Sequence, residues 1–254
     1  MSTLTPTAER PTAVSTALSQ AGLEEASTDH VSWKLATFLI GSFVVDAKRL
    51  IDASIAETDS LQRIFAELLE PAARRLGEFF EADVCTEFDV AIGLCLLQTE
   101  MRRVCAIFDR RTPRPPALGI VMIAPQPGEP HLLCSAMNFE ILDRAGWTTR
   151  YEFPATDRAL QHLLANDWID AIDLSLSPSF KRDHWMPRIA ATISGLRKAS
   201  CNPSLLVVTS GRLFAERREA GFAVGADDCI TSSANADRVM ARVLRRFGRL
   251  RSAA

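Results

Sequence analysis

The chain has 254 residues, with 29 basic against 31 acidic side chains and a formal net charge of −2. That length holds one large domain or two small ones, and that charge excludes a surface that is basic throughout. Its 47% hydrophobic and 24% charged content belongs to a folded globular chain rather than a disordered one. No run approaches the roughly 20 apolar residues of a membrane span; the nearest, Leu35 to Val45, is too short. The first thirty residues are rich in Thr, Ser, Ala and Glu and lack a basic start followed by an apolar run, so no signal peptide and no membrane association are expected, and a soluble cytoplasmic protein is.

Residues 1–29 read as a disordered polar tail. From 30 to 110 the apolar spacing is helical. Trp33, Leu35, Phe38, Leu39, Phe43 and Val44 mark one helix, and Leu50, Ile51 and Ile55 a second. Leu61, Ile64, Phe65, Leu68, Leu69, Leu76, Phe79 and Phe80 mark a third, which Pro71 must kink or break. Thr86 followed three residues later by Asp89 resembles a capping box with Asp in the Glu position. It opens a fourth helix through Val90, Leu94, Leu97, Met101, Val104 and Phe108. Four helices in about 80 residues predict a small bundle. Residues 111–117, with three prolines in four positions, read as a semi-rigid linker.

Over 118–254 the period changes. Leu118–Ala124 is a continuous apolar run, as expected of a strand buried on both faces. A helix over 132–145 ended by Gly146 follows, then a strand over 147–153 and a helix over 156–166. Next come a strand over 169–176 and a helix from Phe180 to Lys198. Strands over 204–209 and 227–231, with helices over 213–220 and 234–247, complete the chain. Strands alternating with helices predict an α/β domain, a flavodoxin-like (Rossmann-like) five-stranded parallel sheet in the order 2-1-3-4-5. That order puts a ligand crevice at the carboxyl ends of the first and third strands, where the strand order reverses.

The segments expected at that crevice are Pro125–Cys134, Ser175–Pro178 and Thr209–Arg212. They offer an imidazole, a carboxylate, hydroxyls and a glycine, with no Gly-rich phosphate loop and no acidic cluster suited to magnesium. Glu129-Pro-His131-Leu-Leu-Cys134 resembles the Asp-x-His-x-x-Gly signature of cobalamin-binding domains. Ser175-Leu-Ser177 stands where that family has Ser-x-Leu, and Ser210-Gly211 where it has Gly-Gly. Gly225-Ala-Asp227 resembles its late Gly-Ala-Asp element, and the segment from Pro71 to Phe80 resembles its helical cap. Pro-Gly-Glu-x-His, Ala-Gly-Trp147 and Phe88-Asp-Val-Ala-Ile-Gly93 are similar to cobalamin-binding antirepressors of photosynthesis genes of the AerR/PpaA type.

The resemblance implies a cobalamin-binding fold with His131 as lower cobalt ligand. Glu129 would orient the imidazole, and Ser175, Ser177, Ser210, Gly211 and Gly225 would lie around the nucleotide tail. Cys134 would stand at the helix start passing the corrin, and Phe80 over the upper face. Several positions depart from the pattern: Glu129 for Asp, Cys134 for Gly, Ser177 for Leu and Ser210 for Gly. Phe80 replaces the usual Trp, and Val90 and Ala91 stand where light-sensing relatives place a Glu-His pair.

Each feature also has a bland reading. His131 fits a loop histidine bonded to backbone, the three serines fit turn residues, and Phe79 and Phe80 fit the core of a bundle. The cysteines at 85, 95, 105, 134, 201 and 229 form no Cys-x-x-Cys pair and read as reduced, mostly buried thiols. Arg238, Arg242, Arg245, Arg246, Arg249 and Arg251 form a basic C-terminal stripe. It suits an acidic partner or DNA phosphates, or simply a solvated helix end that complements the dipole. The resemblance implies a light- or redox-responsive regulator acting on a transcriptional repressor, not itself an enzyme. The alternatives are the corrinoid-carrier subunit of a methyltransferase and a cofactor-free or haem-binding interaction module.

Overall fold

The structure is a computed structural model that describes residues 27–41, 43–109, 118–177 and 185–246. Most of the expected tail, the whole 111–117 linker, the start of the helix expected at Phe180, and Arg249 and Arg251 lie outside them. The described residues fall into two compact units, 27–60 with 67–104 and 61–66 with 105–246.

The first unit is helical. It contains α1 (Ser27–Ile40), α2 (Val44–Ala56), α4 (Glu70–Glu81) and most of α5 (Glu87–Asp109); the short α3 (Leu61–Ile64) belongs to the second unit. Pro71 leaves its mark as expected: the turn before it, Phe65–Leu69, widens to i→i+5 spacing before α4 begins, since proline has no N–H to offer the regular ladder. The capping box closes reciprocally. Thr86 N–H donates to Asp89 Oδ2 at 2.9 Å, and Asp89 N–H donates to Thr86 Oγ1 at 3.2 Å. Leu35, Leu39, Ile51, Leu76, Leu97 and Val104 are buried, and Trp33 meets Phe79 edge-on at 6.2 Å between centroids. Gly93 sits where a Cβ would come within 3.1 Å of Leu76, so its missing side chain sets how closely α5 packs there.

The second unit is built on a parallel sheet of β1 (Ile120–Pro125), β2 (Thr148–Tyr151), β3 (Ala171–Ser175), β4 (Leu206–Ser210) and β5 (Asp228–Ile230). The strand order is β2-β1-β3-β4-β5, as the sequence predicts. Register pairs Ile123 with Asp173, Pro125 with Ser175, and Ser175 with Ser210. Between the strands run α6 (Leu133–Arg144), α7 (Asp157–Asn166), α8 (Trp185–Ala199), α9 (Arg212–Glu216), α10 (Arg218–Ala223) and α11 (Ala236–Arg246). The single helix expected over 213–220 is two short ones meeting at Arg217 (φ −138°, ψ 71°), a break that no Gly or Pro announces.

Side chains alternate across each strand, so the sheet has two distinct faces. Met122, Ala124, Ile172, Leu174 and Val207 point into one apolar cluster with Leu160, Leu164, Ile189, Ile193 and Phe214 of α7, α8 and α9. The opposite face packs against α6 and α11. It carries Val121, Ile123 and Val208, and also Asp173, Ser175 and Ser210.

Candidate functional site

The carboxyl ends of β1, β3 and β4 bring together most of the residues the sequence nominates. Backbone lacing holds them: Gln126 N–H donates to Ser175 O at 3.0 Å and Leu176 N–H to Ser210 O at 2.9 Å. At Gly211 φ is +102° and ψ is 168°, a region essentially reserved for glycine. A Cβ there would lie 1.8 Å from the Leu176 carbonyl oxygen. The β4 turn therefore touches the β3 turn backbone to backbone.

Glu129 is 8% exposed and fastens the loop after β1 to the loop after β3. Its Oε1 accepts from His131 N–H at 2.8 Å and from the Ser177 hydroxyl at 2.7 Å, while Oε2 accepts from Ser177 N–H at 2.7 Å. The structure thus gives Glu129 and Ser177 contacts that the resemblance does not imply. The carboxylate holds the backbone of the histidine loop rather than the imidazole, and the Ser177 hydroxyl is turned to Glu129. The extra methylene of Glu relative to Asp gives the reach across to β3. The His131 imidazole is half-buried, and its ring has no hydrogen-bond partner among the described residues. Among those residues no three His, Cys, Asp or Glu side chains gather around a point where a bare metal ion could sit.

Beneath this rim lies a buried polar patch that sequence reading did not single out. Asn138, on the inner side of α6, donates through Nδ2 to Asp173 Oδ2 at 2.7 Å. Both residues are fully buried. Asp173 Oδ1, Asn138 Oδ1 and the hydroxyls of Ser175 and Ser210 are buried without a hydrogen-bond partner among the described residues. Unpaired buried polar atoms are costly and uncommon, and here four cluster on one sheet face. Burial pushes the Asp173 carboxyl up to about 6, because desolvation disfavours the charged form. The Ser210 hydroxyl, close to the carboxylate without meeting hydrogen-bond geometry, and the Asn138 amide pull it down only in part. One turn before Asn138, Cys134 is half-buried on α6 with its Sγ 4.0 Å from the Asn138 amide nitrogen. Ser135 hydrogen-bonds the Tyr151 hydroxyl of β2 at 2.8 Å, fixing the start of the same helix.

Gly225 stands apart from the rim. Gly225 (φ +95°) follows α10 and precedes β5, so it lies at the amino ends of the strands, opposite the crevice. Its carbonyl accepts from Arg197 at 2.6 Å, and Arg197 also pairs with Asp227; the position terminates a helix. Phe80 belongs to the helical unit and is 47% exposed, whereas its neighbour Phe79 is buried. The bundle-core reading holds for Phe79 alone. Of the basic stripe, Arg238, Arg242, Arg245 and Arg246 are exposed on α11. Arg242 is committed to Asp228 through two hydrogen bonds of 2.6 and 3.0 Å. No helix among the described residues is long and apolar enough to cross a membrane.

No protein-family model and no curated protein matches this sequence. Solved structures do. The Methanosarcina barkeri monomethylamine corrinoid protein aligns with a TM-score of 0.68 and 14% identity, covering 85% of this chain and 100% of that one. A cobalamin-binding protein from Desulfitobacterium hafniense DCB-2 covers 85% and 98% at 14% identity, with a TM-score of 0.43. The methanol:cobalamin methyltransferase complex MtaBC from Methanosarcina barkeri covers 96% and 94% at 11% identity, with a TM-score of 0.36. The first of these likenesses, at that identity, establishes the fold: a helical region followed by a Rossmann-like five-stranded parallel domain.

Proposed function

We propose that this chain is a cobalamin-binding protein in which His131 is the lower ligand to cobalt. The observation that carries the reading is an imidazole without a ring partner, presented at the carboxyl end of β1 beside a buried patch of unpaired polar atoms. One nitrogen donor cannot hold a bare ion, but it suits a metal whose remaining positions are filled by a macrocycle. The residues present fit the group in a second way. Ser175 and Ser210 supply hydroxyls for a nucleotide tail, and Gly211 removes the side chain where the two loops close on each other. Glu129 holds the histidine loop in place, and Cys134 stands at the start of α6. A bound corrin would supply a cobalt centre whose upper ligand depends on redox state or light. The chain's own part is to hold the imidazole at the rim and keep the tail dry.

The role we assign is regulatory: a light- or redox-responsive antirepressor that meets a transcriptional repressor. The resemblance to antirepressors of the AerR/PpaA type supports it. So does the exposed arginine side of α11, where Arg238, Arg242, Arg245 and Arg246 offer a contact for an acidic partner or DNA phosphate, with Arg238 also bonded to Asn235 and Arg242 to Asp228. The likeness to a monomethylamine corrinoid protein, over 85% of this chain, favours a second reading, a methyl carrier serving a methyltransferase.

Adding hydroxocobalamin to the purified chain is expected to shift its visible spectrum, and His131→Ala to remove the shift without changing the circular dichroism. No corrinoid uptake in equilibrium dialysis overturns the binding proposal. Methylation of the bound cobalt by a methyltransferase and its methylated donor overturns the regulatory role in favour of the carrier.

A further inference from the structure

The unpaired atoms beneath the rim are not chemically balanced. Asn138 Oδ1 can only accept a hydrogen bond, and its assignment is fixed because Nδ2 is spent on Asp173. Asp173 Oδ1, when the group is ionised, can only accept as well. Ser175 and Ser210, paired in register on adjacent strands, flank them with hydroxyls that either donate or accept. The two acceptors of this Asp-Asn pair are therefore not hydrogen-bonded among the described residues, and the donors near them are the two serine hydroxyls. A ligand end that carries an N–H or O–H removes that deficit. One that presents methyl groups buries it permanently, and a site built for a hydrogen bond discriminates strongly against an analogue lacking it.

We infer that this patch selects, among cobamides, those whose lower base ends in a hydrogen-bond donor, such as the amine of adenine or the hydroxyl of a hydroxybenzimidazole, over dimethylbenzimidazole. The inference rests on the proposed binding of a cobamide with its nucleotide tail inserted beside β3 and β4. Asp173 and Asn138 are the residues that set the preference. His131 holds the cobalt equally for all, because the corrin is the same in each.

The test is a set of three absorbance titrations of the full chain, with cobalamin, adenylcobamide and 5-hydroxybenzimidazolylcobamide, each in the hydroxo form. The two donor-bearing cobamides are expected to bind on the order of 10- to 100-fold more tightly than cobalamin. In Asp173→Asn, which turns one acceptor into a donor while leaving an oxygen for the Asn138 amide, that preference is expected to fall to about threefold or less. Equal affinity for all three in the unmodified chain overturns the inference and leaves cobamide binding standing. Failure of all three to bind overturns the binding proposal itself. A preference that survives Asp173→Asn unchanged overturns the role of Asp173. The ranking in the unmodified chain needs no variant, so it decides the matter even if Asp173→Asn folds poorly.

Discussion

The two faces of the sheet are made by the same five strands and obey opposite rules. On one, Met122, Ile172, Leu174 and Val207 meet Leu160, Ile189, Ile193 and Phe214 in a cluster that follows the ordinary logic of burial. On the other, Val121, Ile123 and Val208 begin in the same way, but towards the carboxyl ends Asp173, Ser175 and Ser210 are buried with polar atoms left unpaired. The first face stabilises the domain. The second gives up stability at the place where the strand order reverses, and a local breach of folding logic at such a place is the physical mark of a site.

The largest effect is expected where the two loops touch. Gly211→Ala puts a methyl group 1.8 Å from the Leu176 carbonyl in a backbone conformation closed to alanine, so the turn must rebuild. A loss of about 3–5 kcal/mol in urea unfolding is expected, together with loss of the spectral shift. A loss below about 1 kcal/mol would show that the β3–β4 contact is loose. Next, Leu174→Ala empties part of the apolar face and is expected to destabilise by about 3 kcal/mol. Its side chain points away from Ser175 and Ser210, so affinity for hydroxocobalamin measured below the unfolding transition should stay within about threefold, a shift of under 1 kcal/mol. A larger change would mean the faces are coupled.

Asp173→Asn tests the polar face from the other direction. The folded-state carboxyl is raised to about 6, whereas an unfolded Asp titrates near ~3.9. Between those values the native state binds more protons than the unfolded one, so this group lowers stability as pH rises from about 4 to about 6 and the deficit then stays constant. The Asn variant carries no such charge. It is expected to match the parent near pH 4 and exceed it by about 2–3 kcal/mol at pH 7.5. Equal denaturation midpoints at both pH values would show that a further group compensates the Asp173 charge.

The contrast between the faces explains what the sequence disclosed. Strands such as Leu118–Ala124 and Ser204–Thr209 are near-continuous apolar runs, because burial on both sides leaves no alternation, and their order follows from the helices between them. The crevice and most of its residues follow from that order. Asp173 does not stand out in the sequence, since it is one of two acids, with Asp170, in the strand pattern Ile169–Leu176, and its meaning depends on Asn138, which lies 35 positions away. The Glu129 clasp on Ser177 spans 48 positions and needs the β1 and β3 ends side by side. The motif groups Gly225 with the site, but a motif does not say at which end of a strand it falls.

The smallest effect comes from a second aspartate on the same face. Asp228 lies two strands from Asp173, its residue opposite Val208 just as Asp173 is on the other side, and it is nearly as buried. Burial pushes its carboxyl up, but Arg218 at 2.6 Å and Arg242 at 2.6 Å more than offset this and leave it lowered. A lowered carboxyl gives stability that is present above the unfolded pKa and lost as pH falls through the folded one, the reverse of Asp173. Both arginine side chains are half exposed, so solvent screens each pair. Arg242→Ala alone is therefore expected to lower stability at pH 7 by about 1 kcal/mol or less, with Arg218 still in place. Arg218→Ala with Arg242→Ala together should cost more than the sum of the two, since the carboxylate is then buried without a partner. Additive losses in that double-mutant cycle would mean that water already reaches Asp228. The compensated and uncompensated aspartates would then differ in hydration rather than in pairing, and Asp173 would lose its standing as the exceptional acid of the sheet.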